Sequence, residues 1–274
     1  SAKFGLDVFR PHKVVRTVSE CQDESFDYVL ITLKALPEVY NVADIIAPVI
    51  KDEKTTIVLI QNGLGIEEPI VERFPNNPLI SIVAYIGVSQ HEPGKITMIG
   101  GESLVVGKYL KAQCSSDEQR SKFVEYLNKG GVDVQVVEDI EKVRWQKLFW
   151  NATFSPVCTL TGMNTTELLS NEEATKAVKD LMHEVIMIAG AEGYDYDEEQ
   201  QVKTMLARTE ETALNYKPSM QLDRENGRPM EIEVILGCPL KRAKARGLSV
   251  PRLEMTHSIC SAANQHILNG KAKP

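Results

Sequence analysis

The sequence predicts an α/β domain followed by an all-helical domain. In the first half, apolar runs such as Phe26–Leu33 and Thr55–Gln61 alternate with helical stretches, a pattern typical of buried parallel strands joined by helices. After about Asp139 no further strand is indicated, and apolar residues recur at helical spacing. The predicted domains therefore cover residues 1–139 and 140–274.

The elements of the first half follow from local signals. Pro37 suits the first turn of a helix that continues to about Pro48. Gly63-Leu-Gly65 leads from a strand into a helix, and Glu92-Pro-Gly94 is a hairpin turn. Further strands are predicted at 79–90, 95–99, 103–109 and 132–137, with helices at 66–73 and 115–129 and short strand pieces at 7–9 and 13–18.

The second half contains only predicted helices, which span 140–154, 171–192, 197–214, 231–246 and 251–268. In the first of them Lys147, Asn151 and Ser155 are spaced at i, i+4 and i+8, which places them on one face. Lys147 lies among aromatic residues, and burial lowers the pKa of an ammonium toward working pH, as a general acid requires. The alternative is an ordinary amphipathic helix in which the stem of Lys147 covers the core and Asn151 faces solvent.

Composition excludes several classes of function. The chain has 274 residues, 43% of them hydrophobic and 25% charged, as in a soluble globular protein. A net charge of −7 without a basic run argues against nucleic acid as a partner, and no apolar stretch is long enough to span a membrane. The five cysteines and five histidines show no disulfide framework or metal-ligand spacing, so we expect a reducing, cytoplasmic location and no metal.

Two strand ends carry candidate polar groups. Gly63-x-Gly65-x-x-Glu68 imitates a dinucleotide-binding fingerprint, but Glu68 replaces the third glycine and would place a carboxylate in the first helical turn. We interpret the motif as a tight turn that presents Asn62 at the carboxyl end of a strand, where open α/β sheets bind ligands. Lys34 follows the preceding strand on the same rim, where an ordinary surface lysine would also fit.

Two later residues also have plain structural interpretations. Ser219 stands where a helix begins, as an N-cap would. Glu231 begins another helix and would favour its dipole. Taken singly, neither residue indicates a functional site.

Several short motifs nevertheless occur in a definite order. They are Lys34 after a strand, Gln61-Asn-Gly-x-Gly65, Glu92-Pro-Gly94, Lys147-x-x-x-Asn151, Asn164-Thr-Thr-Glu-Leu168, Pro-Ser219-Met-x-x-Asp223 and Glu231-Ile-x-x-Ile-x-Gly237. Between about residues 20 and 265 this order resembles the ketopantoate reductase family. The resemblance implies a Rossmann-like, mostly parallel sheet domain followed by a helical domain.

The resemblance also implies a reaction, the NADPH-dependent reduction of a small 2-oxo acid, with ketopantoate as the expected substrate. Lys147 would act as the general acid that protonates the developing alkoxide. Asn62, Asn151 and Ser219 would bind the substrate. Ser155 would stand on the substrate side, where the family usually has a second asparagine.

On the cofactor side, the resemblance implies that Lys34 lines the rim of the NADPH site. Asn62 would bridge the cofactor ribose and the substrate, and Glu231 would fix the cofactor near its nicotinamide. A homodimer is one expectation, because helical second domains of this kind often pair.

The sequence departs from the family pattern at its front. The family opens with a strand, a G-x-G-x-x-G turn and a second strand, and none of these is recognisable before Phe26. We therefore expect this chain to bind NADPH poorly, and expect a longer natural form or another polypeptide to cover the edge beside Phe26–Leu33. Two alternatives stay open: a non-catalytic protein that keeps the fold as a binding module, and a reductase for a different 2-oxo acid, which Ser155 and Thr165 suggest.

Overall fold

The computed structural model describes residues 3–212 and 215–271. Their contacts divide the chain into two compact units. Unit 1 comprises Ser1–Leu33, Tyr40–Gln61 and Ile66–Glu141, and unit 2 comprises Lys34–Val39, Asn62–Gly65 and Lys142–Pro274. Unit 2 thus includes two short loops from the first half of the chain. The predicted domain boundary at 139/140 stays a prediction.

Unit 1 contains a five-stranded sheet whose spatial order is the order of the chain. The strands are β1 (Tyr28–Ile31), β2 (Thr56–Ile60), β3 (Leu79–Glu92), β4 (Lys95–Lys108) and β5 (Val134–Asp139). Pairs β1/β2, β2/β3 and β4/β5 are parallel, and β3/β4 is an antiparallel hairpin. The core is built from the β-branched residues Val58, Ile80, Ile82 and Val106, with Phe123. The predicted mostly parallel sheet is confirmed.

The β3–β4 hairpin differs from its prediction. Segments 95–99 and 103–109 form one continuous strand, β4, rather than two. Ile86 pairs with Glu102 while the next residue, Gly87, pairs with Ile99, so Gly100 and Gly101 form a bulge. In the sequence, the two adjacent glycines suggest the end of one strand and the start of another. In the structure they form a bulge within a single strand.

The helices of unit 1 are α1 (Val42–Ile46), α2 (Glu68–Arg73) and α3 (Asp117–Lys129), with 3₁₀ turns at Val18–Cys21 and Ala47–Val49. The prediction of a helix from Pro37 was wrong. The helix begins after Asn41, whose side chain accepts a hydrogen bond from the Ala43 amide at 2.9 Å. The predicted strand pieces at 7–9 and 13–18 were also wrong, since neither segment is paired in a sheet.

All the regular secondary structure in the described part of unit 2 is helical, as predicted for the second half of the chain. Its helices are α4 (Ile140–Asn151, which begins in unit 1), α5 (Phe154–Thr161), α6 (Thr165–Leu169), α7 (Glu172–Ala191), α8 (Glu198–Thr212), α9 (Ser219–Glu225), α10 (Cys238–Ala245) and α11 (Pro251–Lys271). A π-helical turn at Glu233–Gly237 precedes α10. Pro239 accounts for this wide turn, because its ring would clash with the Ile235 carbonyl in a regular helix.

The predicted helix 140–154 is interrupted after Asn151, so Ser155 lies on α5 and not on the helix of Lys147. Pro156 explains the break, since in a continuous helix its ring would meet the Ala152 carbonyl. The Thr153 hydroxyl reinforces it by donating to the Phe149 carbonyl at 2.6 Å. The prediction that all three polar residues share one helical face was therefore wrong for Ser155.

None of the described helices combines the length and the apolar character that crossing a membrane requires.

Candidate functional site

The centre of the candidate site is a hydrogen bond between Lys147 on α4 and Asn62 in a loop of unit 2. The Lys147 ammonium Nζ donates to Asn62 Oδ1 over 2.7 Å. Desolvation, together with the charge of the nearby Arg144 guanidinium, lowers the pKa of Lys147 to about 8, although the Glu231 carboxylate opposes both effects. A lysine in this state is still mostly protonated at neutral pH and gives up its proton readily.

The loop that carries Asn62 is held tightly in place. Gly63 adopts φ +94°, and a Cβ atom added to it would lie 2.4 Å from Val234 Cβ. The Leu64 amide donates to the Val234 carbonyl at 2.8 Å, and buried Arg144 donates through Nη1 to the Gly63 carbonyl at 3.1 Å. Gly63 is thus explained by close packing against the π-helical turn, in agreement with its interpretation as a tight turn that presents Asn62.

Glu231 joins the same cluster from the segment before the π-helical turn. The side chain is only 6% exposed, and Oε1 accepts the Ala35 amide at 2.9 Å. Glu231 also forms a side-chain hydrogen bond with Asn62. Burial raises the pKa of Glu231, while the Ala35 amide and the Lys34 ammonium oppose that rise.

Lys34 forms an ion pair with Asp223 of α9. The Asp223 side chain is buried and also accepts from Arg228 Nε at 3.0 Å, whereas the Lys34 side chain is 40% exposed. Asp223 therefore anchors two cations whose own side chains reach solvent. It belongs to a recognised motif but carried no predicted role.

The remaining predicted residues are not drawn into this hydrogen-bonded cluster. Asn151 is half-buried at the end of α4, one turn beyond Lys147. Ser155 is buried at 3% exposure on α5. Ser219 is exposed and is the first residue of α9, with Pro218 in the N-cap position, so its interpretation as an N-cap was wrong. The substrate-binding roles of all three stay predictions.

Two residues that contribute to the site, Arg144 and Asn264, belong to none of the sequence motifs. Arg144 precedes Lys147 by three residues on α4, so a helical wheel would place the two cations together. Asn264 lies on the stripe of α11 that also buries Leu253 and Cys260, and a polar residue on a buried stripe is a signal of a specific partner.

Chemically, the cluster presents an ammonium of lowered pKa beside an amide and a buried carboxylate. Such a group can protonate an oxygen on which negative charge develops, since its pKa is close to the pH at which it would work. Reduction of a carbonyl group produces such an oxygen, which must receive a proton.

Comparison with known proteins places the chain in a family. Residues 2–111 match the family described as ketopantoate reductase PanE/ApbA, and residues 139–264 match its C-terminal counterpart. The crystal structure of 2-dehydropantoate 2-reductase from Methylococcus capsulatus superposes with a TM-score of 0.84 at 32% identity, covering 100% of this chain and 84% of that chain.

Two further proteins widen the comparison. An uncharacterized protein of Saccharomyces cerevisiae is 30% identical over 93% of this chain and 78% of its own length. The ternary structure of D-mandelate dehydrogenase with NADH and anilino(oxo)acetate shares the fold, with a TM-score of 0.79 at 22% identity over 90% of this chain and 78% of that chain. The chain therefore belongs to the ketopantoate reductase family, whose members are nicotinamide-dependent oxidoreductases of 2-oxo acids.

Proposed function

We propose that this protein reduces a small 2-oxo acid, ketopantoate, with NADPH, and that Lys147 is the general acid. The observation that carries the proposal is the Lys147–Asn62 hydrogen bond of 2.7 Å at a lysine whose pKa is lowered to about 8. The amide fixes the ammonium in one place, and desolvation makes its proton easier to transfer. Similarity to 2-dehydropantoate 2-reductase supports the choice of substrate.

The residues of the cluster suit a nicotinamide cofactor. The partly exposed Lys34 ammonium can attract the cofactor's phosphates, and the Asn62 amide and the Glu231 carboxylate can hydrogen-bond ribose hydroxyls. When bound, reduced nicotinamide supplies the hydride. The buried Glu231 is already oriented by the Ala35 amide, so this carboxylate needs no rearrangement to receive a hydroxyl.

On the substrate side, Lys147 Nζ holds the proton that the product hydroxyl receives. In the proposal Asn62 keeps the ammonium in place and contacts the substrate. Asn151, one helical turn away, and Ser219, at the exposed start of α9, would bind its polar groups. Ser155 is the weakest member of the predicted set, because it lies buried on a different helix.

The experiment is an assay of NADPH oxidation by the full-length natural protein with a panel of 2-oxo acids, repeated with NADH. We expect ketopantoate to give the highest kcat/KM, with NADPH preferred. In calorimetry, Lys147→Ala should keep NADPH binding while turnover is lost. Exposed Lys142 on the same helix provides the matched control, and Lys142→Ala should retain turnover.

Two other results would redirect the proposal. A clear preference for another 2-oxo acid would favour the second candidate, a reductase of altered specificity, which the displaced Ser155 supports. Failure to bind either nicotinamide cofactor would favour a non-catalytic binding protein and would contradict the proposal outright.

A further inference from the structure

We propose that Asn264 of α11 is a positioning residue that holds Glu231 in register with Asn62 and Lys147. This inference rests on the proposed function, because it assigns Asn264 a part in the same site. Asn264 lies outside every motif of the resemblance, and its hydrogen bonds reach Met230 and Glu38, neither of which has a proposed catalytic or binding role.

Asn264 forms hydrogen bonds with the backbone of Met230, the residue directly before Glu231. Its Oδ1 accepts the Met230 amide at 2.9 Å, and its Nδ2 approaches the Met230 carbonyl at 3.4 Å. The side-chain amide thus pairs with the peptide much as a neighbouring strand would. Both residues are buried, at 3% exposure for Asn264 and 0% for Met230, so the Met230 amide depends on this partner.

The same side chain reaches the loop that meets Glu231 from the other side. Asn264 Nδ2 donates to Glu38 Oε1 at 3.0 Å. Glu38 belongs to the Lys34–Val39 loop, whose Ala35 amide donates to Glu231. Desolvation raises the pKa of Glu38, and the hydrogen bond from Asn264 opposes that rise. One buried amide therefore connects both segments that meet at Glu231.

Neither aspartate nor leucine, which are similar in size to asparagine, could make this set of contacts. Aspartate could accept from the Met230 amide but would offer no donor, and it would bring a second carboxylate to Glu38. Leucine would fill the space and leave the buried Met230 amide without an acceptor. Asn264 should therefore influence Lys147 indirectly, through the placement of Glu231.

The test is Asn264→Asp in the full-length natural protein, with Asn269→Asp as control, because Asn269 is an exposed asparagine of the same helix. Far-UV circular dichroism establishes that both variants fold. Lysine ¹³C NMR then follows the titration of Lys147, assigned from the spectrum of Lys147→Arg. We expect the pKa of Lys147 to fall in Asn264→Asp, because a displaced Glu231 no longer favours the ammonium. The added carboxylate would by itself raise that pKa. The direction of the shift therefore distinguishes displacement of Glu231 from the direct effect of the added charge.

Turnover provides the second measurement. Asn264→Asp should lower kcat for the 2-oxo acid about 10- to 100-fold, with KM changed less than about 3-fold, while Asn269→Asp leaves both unchanged. Adding Glu38→Gln to Asn264→Asp restores a donor–acceptor pair between the two positions, and we expect it to recover part of kcat.

An unchanged Lys147 titration in folded Asn264→Asp would overturn the inference. The NMR measurement needs neither cofactor nor substrate. A wild-type protein without reductase activity would therefore contradict the proposed function, while the titration would still decide the role of Asn264.

Discussion

Two polar clusters of this protein each contain a lysine and an arginine, yet they shift the lysine pKa in opposite directions. In unit 1, Lys108 contacts Asp117 at 2.5 Å and Glu138 at 2.9 Å, and these hydrogen bonds raise its pKa. In unit 2, burial and a neighbouring cation lower the pKa of Lys147 to about 8.

Burial explains much of the contrast, because desolvation is the largest effect on the pKa of Lys147, whereas hydrogen bonds to Asp117 and Glu138 have the largest effect at Lys108. Arg120 shares Asp117 and Glu138 with Lys108, so each cation of that cluster has an anion beside it. Arg144 of unit 2 donates to the Gly63 carbonyl, and its charge adds to the lowering of the Lys147 pKa. A lysine surrounded by carboxylates is suited to fastening surface elements, whereas one held by an amide beside another cation is suited to releasing a proton.

Replacing each lysine by arginine should give the largest difference between the two clusters. Arginine keeps the positive charge but does not release a proton near neutral pH. Lys147→Arg should therefore reduce kcat about 10²- to 10⁴-fold, the usual contribution of a general acid, while Lys108→Arg leaves it unchanged. Steady-state kinetics on both variants makes the measurement. Equal losses of kcat in the two variants would contradict the functional difference between the clusters.

The glycines of two tight turns provide a comparison of stability. Gly63 and Gly94 both have positive φ, at +94° and +78°, but only Gly63 has neighbouring atoms within 4 Å of an added Cβ, the closest of them Val234 Cβ. Gly63→Ala should lower the free energy of unfolding by about 2–5 kcal/mol, because overpacking adds to backbone strain.

Gly94→Ala should lower it by only about 1–2 kcal/mol, from strain alone. Urea denaturation of both variants checks the difference. Indistinguishable midpoints would mean that the Asn62 loop is not tightly seated on the π-helical turn.

The pH dependence of turnover should locate the pKa of Lys147. Because the ammonium form donates the proton, kcat/KM should fall as pH rises through about 8. Arg144→Met removes a cation that disfavours protonated Lys147, so this limb should move to higher pH. Glu231→Gln removes the opposing anion and should move it to lower pH. Shifts in the same direction for both variants would contradict the assigned electrostatics.

The smallest effect should come from weakening the unit 1 cluster. Asp117→Asn removes a partner of Lys108 and Arg120, but the Asp117 side chain is more than half exposed and Glu138 remains to pair with both cations. We expect unchanged kcat and a slight decrease in thermal midpoint that disappears at high salt, because exposed ion pairs are screened. Differential scanning fluorimetry at low and high ionic strength makes this test.

Most of the sheet could be predicted because its signals are local. The apolar runs at 26–33 and 55–61 contain β1 and β2, and the turn at Glu92-Pro-Gly94 lies at the hairpin. Two of the errors arose where a single residue outweighed the signals around it. Pro156 interrupts the helix of Lys147, and the Asn41 side chain, rather than Pro37, caps α1.

The candidate site was less accessible to sequence reasoning. The resemblance named Lys147, Asn62 and Glu231, which the structure brings together, but their contacts join residues far apart in the chain. Arg144 contacts a carbonyl 81 positions away, and Asn264 contacts an amide 34 positions away. No local pattern encodes such pairs. In the sequence, Arg144 is notable only as a cation one helical turn from another cation, and Asn264 only as a polar residue on a buried helix face.

The three-segment composition of unit 2 limits how this protein could exchange parts with its relatives. Recombination at residue 142 would transfer Lys147 and Glu231 but leave behind the loops 34–39 and 62–65, which carry their partners. A chimera made at that point would combine Lys147 from one parent protein with the Asn62 loop of the other. Lys147, the proposed proton donor, and the loop that holds it are thus inherited together only when the crossover leaves both in the same parental segment.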